Sequence, residues 1–317
     1  MSQYIGVITL DNELYCKKEV SGAKIKSKIA GHDILLIFPT IPDSYNGDTV
    51  DLKNGDLVIE GDLFKGEVKW GMVMNWPDCI FSVNALLCYF VANESDVENI
   101  YEGFPQWKEK LNNLRLIDAG NYIIPNQKPP ALLRSGGFDD GLQIFAAKKG
   151  EKLQYVPNHR SIEPIVLHLV ESKEAYSAAQ ITDLLNNAGS VKEIALAYEL
   201  LITAYQALER HDFRSAVILG GTAVEQSILK RLRPEYSSNT KFKKAKKSLQ
   251  HSTLNGRFKW LQEKNVHIPI SDFKKTIIDV RNDAAHDGIR PSHSVAKQCL
   301  ENCKILIETF SPSVLDN

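Results

Sequence analysis

Asp212-Phe213-Arg214-Ser215-Ala216-Val217-Ile218-Leu219-Gly220-Gly221-Thr222-Ala223-Val224-Glu225-Gln226-Ser227-Ile228-Leu229-Lys230-Arg231-Leu232 is the stretch that decides the fold. Phe213, Ala216, Val217, Gly220, Val224, Ile228 and Leu232 recur every three or four positions, the pattern of a helix burying one stripe. Asp212 stands where an N-terminal cap belongs. Gly220-Gly221 falls in mid-helix, where each glycine costs about 1 kcal/mol relative to alanine. Glycines kept there imply a close helix contact.

Neighbouring segments repeat the helical pattern. Upstream, Ile194, Tyr198, Leu201, Tyr205 and Leu208 give 191–210 one apolar stripe, and His211-Asp212 makes a short turn. Downstream, Ser271 is placed to cap a helix whose apolar face is Phe273, Ile277, Val280 and Ala284, with Gly288 at its C-terminal cap. A last helix, from Ser292 or Ser294 to Phe310, carries Val295, Cys299, Cys303, Leu306 and Phe310 on one stripe. Together these segments suffice for a compact helical bundle.

Before about residue 160 the texture is different. Gln3 to Leu10, Leu14 to Val20, Asp33 to Phe38, Asp56 to Glu60, Ile80 to Val91, Leu142 to Ala147 and Leu153 to Val156 are short apolar or alternating runs between turn signals, and they predict strands. One helix, Glu94 to Leu114, interrupts them. The expected class is therefore α+β: an N-terminal, mainly antiparallel β domain with one or more helices, then an all-α bundle. The expected boundaries are 1–160 for the β domain, 161–189 for a helical connector containing Ser177 to Asn187, and 190–317 for the helical domain.

The formal net charge of −1 over 317 residues excludes a protein that coats nucleic acid by charge everywhere. A local basic patch remains open. Lys241, Lys243, Lys244, Lys246 and Lys247, followed by Arg257, Lys259 and Lys264, form the most basic region, which reads as a solvated helix face or as a phosphate-binding surface. No run has the length and apolarity of a membrane span, and Met1-Ser2-Gln3-Tyr4 lacks a signal-peptide pattern, so a cytoplasmic protein without membrane association is expected. Cys16, Cys79, Cys88, Cys299 and Cys303 are scattered, with no CxxC pair, and indicate neither a disulfide framework nor a metal site.

Arg281-Asn282-Asp283-Ala284-Ala285-His286 closes the third helical segment. Metal-free phosphodiester cleavage needs a proton taken from the attacking hydroxyl, a proton given to the leaving oxygen, and positive charge beside the phosphorane. Histidine can do the first two and arginine the third. On an ideal helix, however, the two residues differ by about 140° around the axis and about 7.5 Å along it. One straight helix cannot aim both at one phosphate. Either the helix unwinds near Asp287-Gly288 and swings the imidazole round, or a second copy of the chain supplies part of the site. His286 also fits a plain capping role, because the negative end of the helix dipole attracts a cation. Glu225 reads as a surface or structural residue, with a partner of Arg281 as the alternative. His293, just past the motif, is a candidate RNA contact.

The hexapeptide, followed by Asp287-Gly288, resembles the R-polar-x3-H motif of HEPN domains, the all-helical module named for higher eukaryotes and prokaryotes nucleotide-binding. Ala204-Tyr205-Gln206-Ala207-Leu208, Arg214-Ser215-Ala216-Val217, Gly221-Thr222-Ala223-Val224-Glu225 and Leu229-Lys230 are similar to that family's paired first helices. The resemblance covers about 190–317. It implies a metal-independent endoribonuclease in which a two-fold dimer faces two motifs across one cleft. His286 would be the general acid or base, Arg281 would hold the scissile phosphate, and Asn282 would orient the site. The 2′-hydroxyl would attack, leaving a 2′,3′-cyclic phosphate, and no cofactor would be needed. Many relatives act as toxins or in antiviral defence, so the N-terminal domain is expected to bind an antitoxin or a trigger. The alternative is a catalytically inactive module of the same family that binds nucleotides, dimerises or serves as an adaptor.

Overall fold

The computed structural model describes residues 1–41, 50–54, 57–59, 62–64, 68–76, 80–118, 142–148, 151–156, 175–237 and 253–316. The fold is α+β, with an antiparallel sheet in the N-terminal half and mostly helices in the C-terminal half. The chain divides into two compact units: among the described residues the first runs to Val191 except for 116–118, which group with the second, from Lys192 onward.

In the first unit, β1 (Ser2–Lys17), β2 (Lys24–Ile29), β3 (His32–Ile37), β8 (Ile80–Ala92), β9 (Leu142–Ala147) and β10 (Gln154–Val156) lie in the order β10-β9-β1-β8-β3-β2. A side branch joins β8 through β7 (Val68–Trp76) to β4 (Val50–Asn54), and β5 (Leu57–Ile59) pairs with β6 (Asp62–Phe64). All these pairings are antiparallel. The two strands expected over 3–10 and 14–20 are one strand: both halves of β1 pair with β8, and the register shifts between Thr9 and Leu14. The Asp11-Asn12 signal thus marks a bulge within a strand, with no chain reversal.

Alternation along the strands sorts the two faces of the sheet. Ile5, Val7, Ala85, Leu87, Tyr89 and Ala147 cluster with Ile59 and Phe64. Opposite them, Gly6 pairs with Cys88, and an added Cβ would stand 2.5 Å from the Cys88 Sγ. Helix α1 (Glu94–Asp118) buries Val97, Ile100, Phe104, Trp107 and Leu111. Its Tyr101 hydroxyl donates to the Val156 carbonyl and accepts from the Ile144 amide, both at 3.1 Å, which fastens the helix to β9 and β10. Helix α2 (Ala178–Ala188) opens with a full capping box, Ser177 and Gln180 bonding each other's backbone amides. It packs against β2, where the Ser27 hydroxyl donates to the Leu185 carbonyl at 2.7 Å.

In the second unit, α3 (Leu196–Glu209), α4 (Phe213–Ser237), α5 (Leu254–Glu263), a π-helical turn (Lys274–Asp279), α6 (Val280–His286) and α7 (His293–Phe310) surround a core in which α4 is central. It packs against α3, α5, α6 and α7. Ala216, Val217, Val224, Ile228 and Leu232 are fully buried, as their spacing predicts. The Asp212 carboxylate accepts the Ser215 amide at 3.1 Å, and the Ser292 hydroxyl caps α7 by accepting the Val295 amide at 3.3 Å. Val295 itself departs from the expected stripe and is exposed.

Gly189 closes α2 against the sheet: an added Cβ would lie 2.5 Å from the Lys28 amide nitrogen and 2.6 Å from the Ser27 hydroxyl. Gly189→Ala should therefore destabilise the first unit by about 1–3 kcal/mol, the usual cost of overpacking. Chemical denaturation measures it, and a wild-type midpoint in the variant would contradict the seating of α2 on β2.

Candidate functional site

Helix α6 is regular from Val280 through His286, and its C-terminal turn is closed by Gly288 at φ +68°. The Asp287 and Ile289 amides both donate to the Asp283 carbonyl, at 3.2 and 3.1 Å. Gly288 thus does what the sequence predicts for it, because glycine adopts a left-handed backbone without a Cβ penalty. The Arg214 side chain of α4 adds a further cap, its Nε donating to the Ala284 carbonyl at 2.8 Å. A cation there satisfies a terminal carbonyl and opposes the helix dipole.

The unwinding that would swing His286 toward Arg281 is thus not present. Arg281 turns inward and is partly buried, whereas the His286 side chain is exposed. What does depart from an α-helix lies before the motif, in the π turn Lys274–Asp279. The segment enters through Asp272 at φ +56°, and Phe273 receives no side-chain cap, although Ser271 was expected to supply one. Single π turns insert an extra residue and often accompany functional positions.

Arg281 is seated by α4. An added Cβ at Gly221 would stand 2.8 Å from the Arg281 Cγ and 3.3 Å from its Cβ, so the glycine leaves the space that the arginine stem occupies. Gly220 faces elsewhere; a Cβ there would meet Leu300 Cδ2 at 2.5 Å and Cys303 Sγ at 3.3 Å. The two glycines thus serve two approaches, one to α7 and one to Arg281.

The guanidinium makes two polar contacts with its surroundings. Nη1 donates to the Asn282 Oδ1 at 3.1 Å. Nη2 lies 3.9 Å from the Glu225 Oε1. Nε is buried and has no hydrogen-bond partner among the described residues. Glu225 carries a second cation, since its Oε2 lies 3.8 Å from the Arg257 Nη1, which also donates to the Glu225 backbone carbonyl at 2.9 Å. Desolvation pulls the Arg257 pKa below its ordinary value, and the Glu225 charge opposes that shift.

The expected positions fare differently. Arg281, Asn282 and Glu225 come together, while His286 faces away on the same helix. Arg257 falls in the basic region of the sequence but is only 5% exposed and belongs to this cluster. A lysine-rich context hides a buried arginine from sequence. Lys241, Lys243, Lys244, Lys246, Lys247 and Cys79 lie outside the described residues. His293 packs edge-on against Phe213, ring centroids 5.5 Å apart, and His211 meets the same ring at 5.8 Å.

Among the described residues no three His, Cys, Asp or Glu side chains are grouped to hold a metal ion, and no helix is long and apolar enough to cross a membrane. No family model, no curated protein and no solved structure matches this chain.

Two outcomes follow. Gly221→Ala should lower the thermal midpoint, and Arg281→Ala in the same chain should recover most of that loss; additive losses would contradict the close approach. Hydrogen bonds from the Ser215 hydroxyl and amide hold the Asp212 carboxyl below the usual range, with Arg290 and Arg214 adding to the shift. A depressed carboxylate stabilises above its unfolded pKa, near 4, and loses that contribution as pH falls through the folded value. Asp212→Ala should thus cost about 1 kcal/mol at pH 7, with the difference from wild type shrinking below about pH 4 in urea titrations. A difference independent of pH would contradict the capping role.

Proposed function

We propose that this chain is a HEPN-type, metal-independent endoribonuclease that cleaves RNA at a composite site shared by two copies, in toxin activity or antiviral defence. Arg281 holds the scissile phosphate, His286 transfers protons as general acid or base, and Asn282 orients the arginine. The 2′-hydroxyl is the nucleophile: it bonds to phosphorus as the bond to the 5′-oxygen breaks, and the leaving oxygen takes a proton. A 2′,3′-cyclic phosphate remains on one fragment and a 5′-hydroxyl on the other.

The observation that carries this reading is the divergence of Arg281 and His286 on a regular helix. A half-buried guanidinium with hydrogen-bonding capacity to spare supplies the electrostatic part of the chemistry. An exposed imidazole at the helix end supplies the acid–base part. On one helix they diverge, and a second chain related by a two-fold axis offers each a complement. The first unit serves as the sensor, taking an antitoxin or a trigger, and the protein works in the cytoplasm without a cofactor.

Purified protein incubated with total RNA should generate cyclic-phosphate ends equally in EDTA and in magnesium. His286→Ala and Arg281→Ala should each remove them, with losses on the order of a hundredfold or more. Should wild type and both variants leave RNA equally intact, the reading passes to an inactive nucleotide-binding, dimerisation or adaptor module.

A further inference from the structure

Glu225 poses a chemical problem for any anion site built on Arg281. A carboxylate 3.9 Å from the guanidinium competes with the phosphate that Arg281 is proposed to hold. Arg257 resolves the conflict. It is almost fully buried, its Nη1 is fixed to the Glu225 carbonyl at 2.9 Å, and the same nitrogen lies 3.8 Å from the carboxylate Oε2. Two cations share one anion, so the cluster keeps a net charge of +1 on these three side chains.

The distances to the carboxylate exceed hydrogen-bond length on both sides, so Glu225 restrains Arg281 electrostatically without occupying its donors. Those donors are not exhausted. Of the five guanidinium N–H groups, one bonds Asn282 and the Nε–H is buried without a hydrogen-bond partner among the described residues. Side-chain exposure of 22% at Arg281 against 6% at Arg257 leaves Arg281 the cation that an incoming anion can reach. Removing one member of a buried ionic group leaves the others uncompensated, so the arrangement is sensitive to each residue.

We propose that Glu225 is a positioning residue for Arg281: held by Arg257 from behind, it fixes the guanidinium against Gly221 in the orientation that receives a phosphodiester. The assignment rests on the endoribonuclease reading for its functional consequence and on the Glu225–Arg281 contact for its physical basis. Two measurements separate these.

The functional measurement uses Glu225→Gln, which keeps shape and removes charge. Its circular dichroism spectrum should match wild type, while kcat for RNA cleavage falls on the order of tenfold to hundredfold, the range for losing a supporting partner, and KM changes less. In Arg281→Ala, added guanidinium chloride should restore cleavage at least roughly tenfold, and the same salt should restore nothing in Arg281→Ala/Glu225→Gln, because the carboxylate that would hold the free cation is gone. Wild-type kcat in Glu225→Gln, or equal rescue with and without Glu225, overturns the proposal. If Glu225→Gln does not fold, Glu225→Ala, which also removes the charge, takes its place under the same criteria in both measurements.

The physical measurement needs no activity. Thermal midpoints of wild type, Glu225→Gln, Arg281→Met and the double variant form a cycle. A combined loss smaller than the sum of the single losses supports the coupling, and strict additivity overturns it. If wild type cleaves no RNA, the endoribonuclease reading falls and this cycle alone decides the role of Glu225.

Discussion

The close approach permitted by Gly220-Gly221 is the constraint on which the second unit depends. Adjacent positions on a helix point about 100° apart, so two neighbouring glycines open two different faces of α4. One face admits Leu300 and Cys303 of α7, and the other admits the stem of Arg281. A methyl group at either would collide with what is already there. The conformational cost of two mid-helix glycines is therefore set against the packing of one helix and the seating of the Arg281 side chain.

The ionic cluster on that second face is a weak source of stability. Taking charges out of water costs several kcal/mol per ion, and replacing a buried ionic cluster with apolar residues is often neutral or stabilising. Burying Arg257 beside Glu225, with Arg281 partly covered next to them, is easier to understand if the cluster orients a cation for use. The π turn just before α6 supports the same view, since it is a departure from regular geometry immediately upstream of the motif.

Much of this was legible in the sequence because it rests on local rules. The buried stripe of α4, the Asp212 and Ser292 caps and the left-handed Gly288 follow from periodicity and backbone sterics. The strand content also follows from alternation, but pairing does not. Asp11-Asn12 has the composition of a turn, yet both flanking halves pair with β8, and only the partner decides that. The seating of α2 on β2 likewise depends on Ser27 and Leu185, 158 positions apart. At the site, Arg281, Asn282 and Glu225 were visible as candidates, whereas Arg257 was hidden among lysines, because the carboxylate that holds it lies on another helix. The regular end of α6 is the finding that matters most for chemistry. It keeps His286 away from Arg281 within one chain.

The proposed composite site takes its arginine from one chain and its histidine from another. Mixed-chain complementation tests this directly: Arg281→Ala and His286→Ala chains are purified separately, shown to be inactive, and then mixed under conditions that exchange subunits. The mixture should regain RNA cleavage, because a mixed dimer retains one arginine and one histidine on opposite chains. A mixture that forms mixed dimers yet stays as inactive as its components would contradict it.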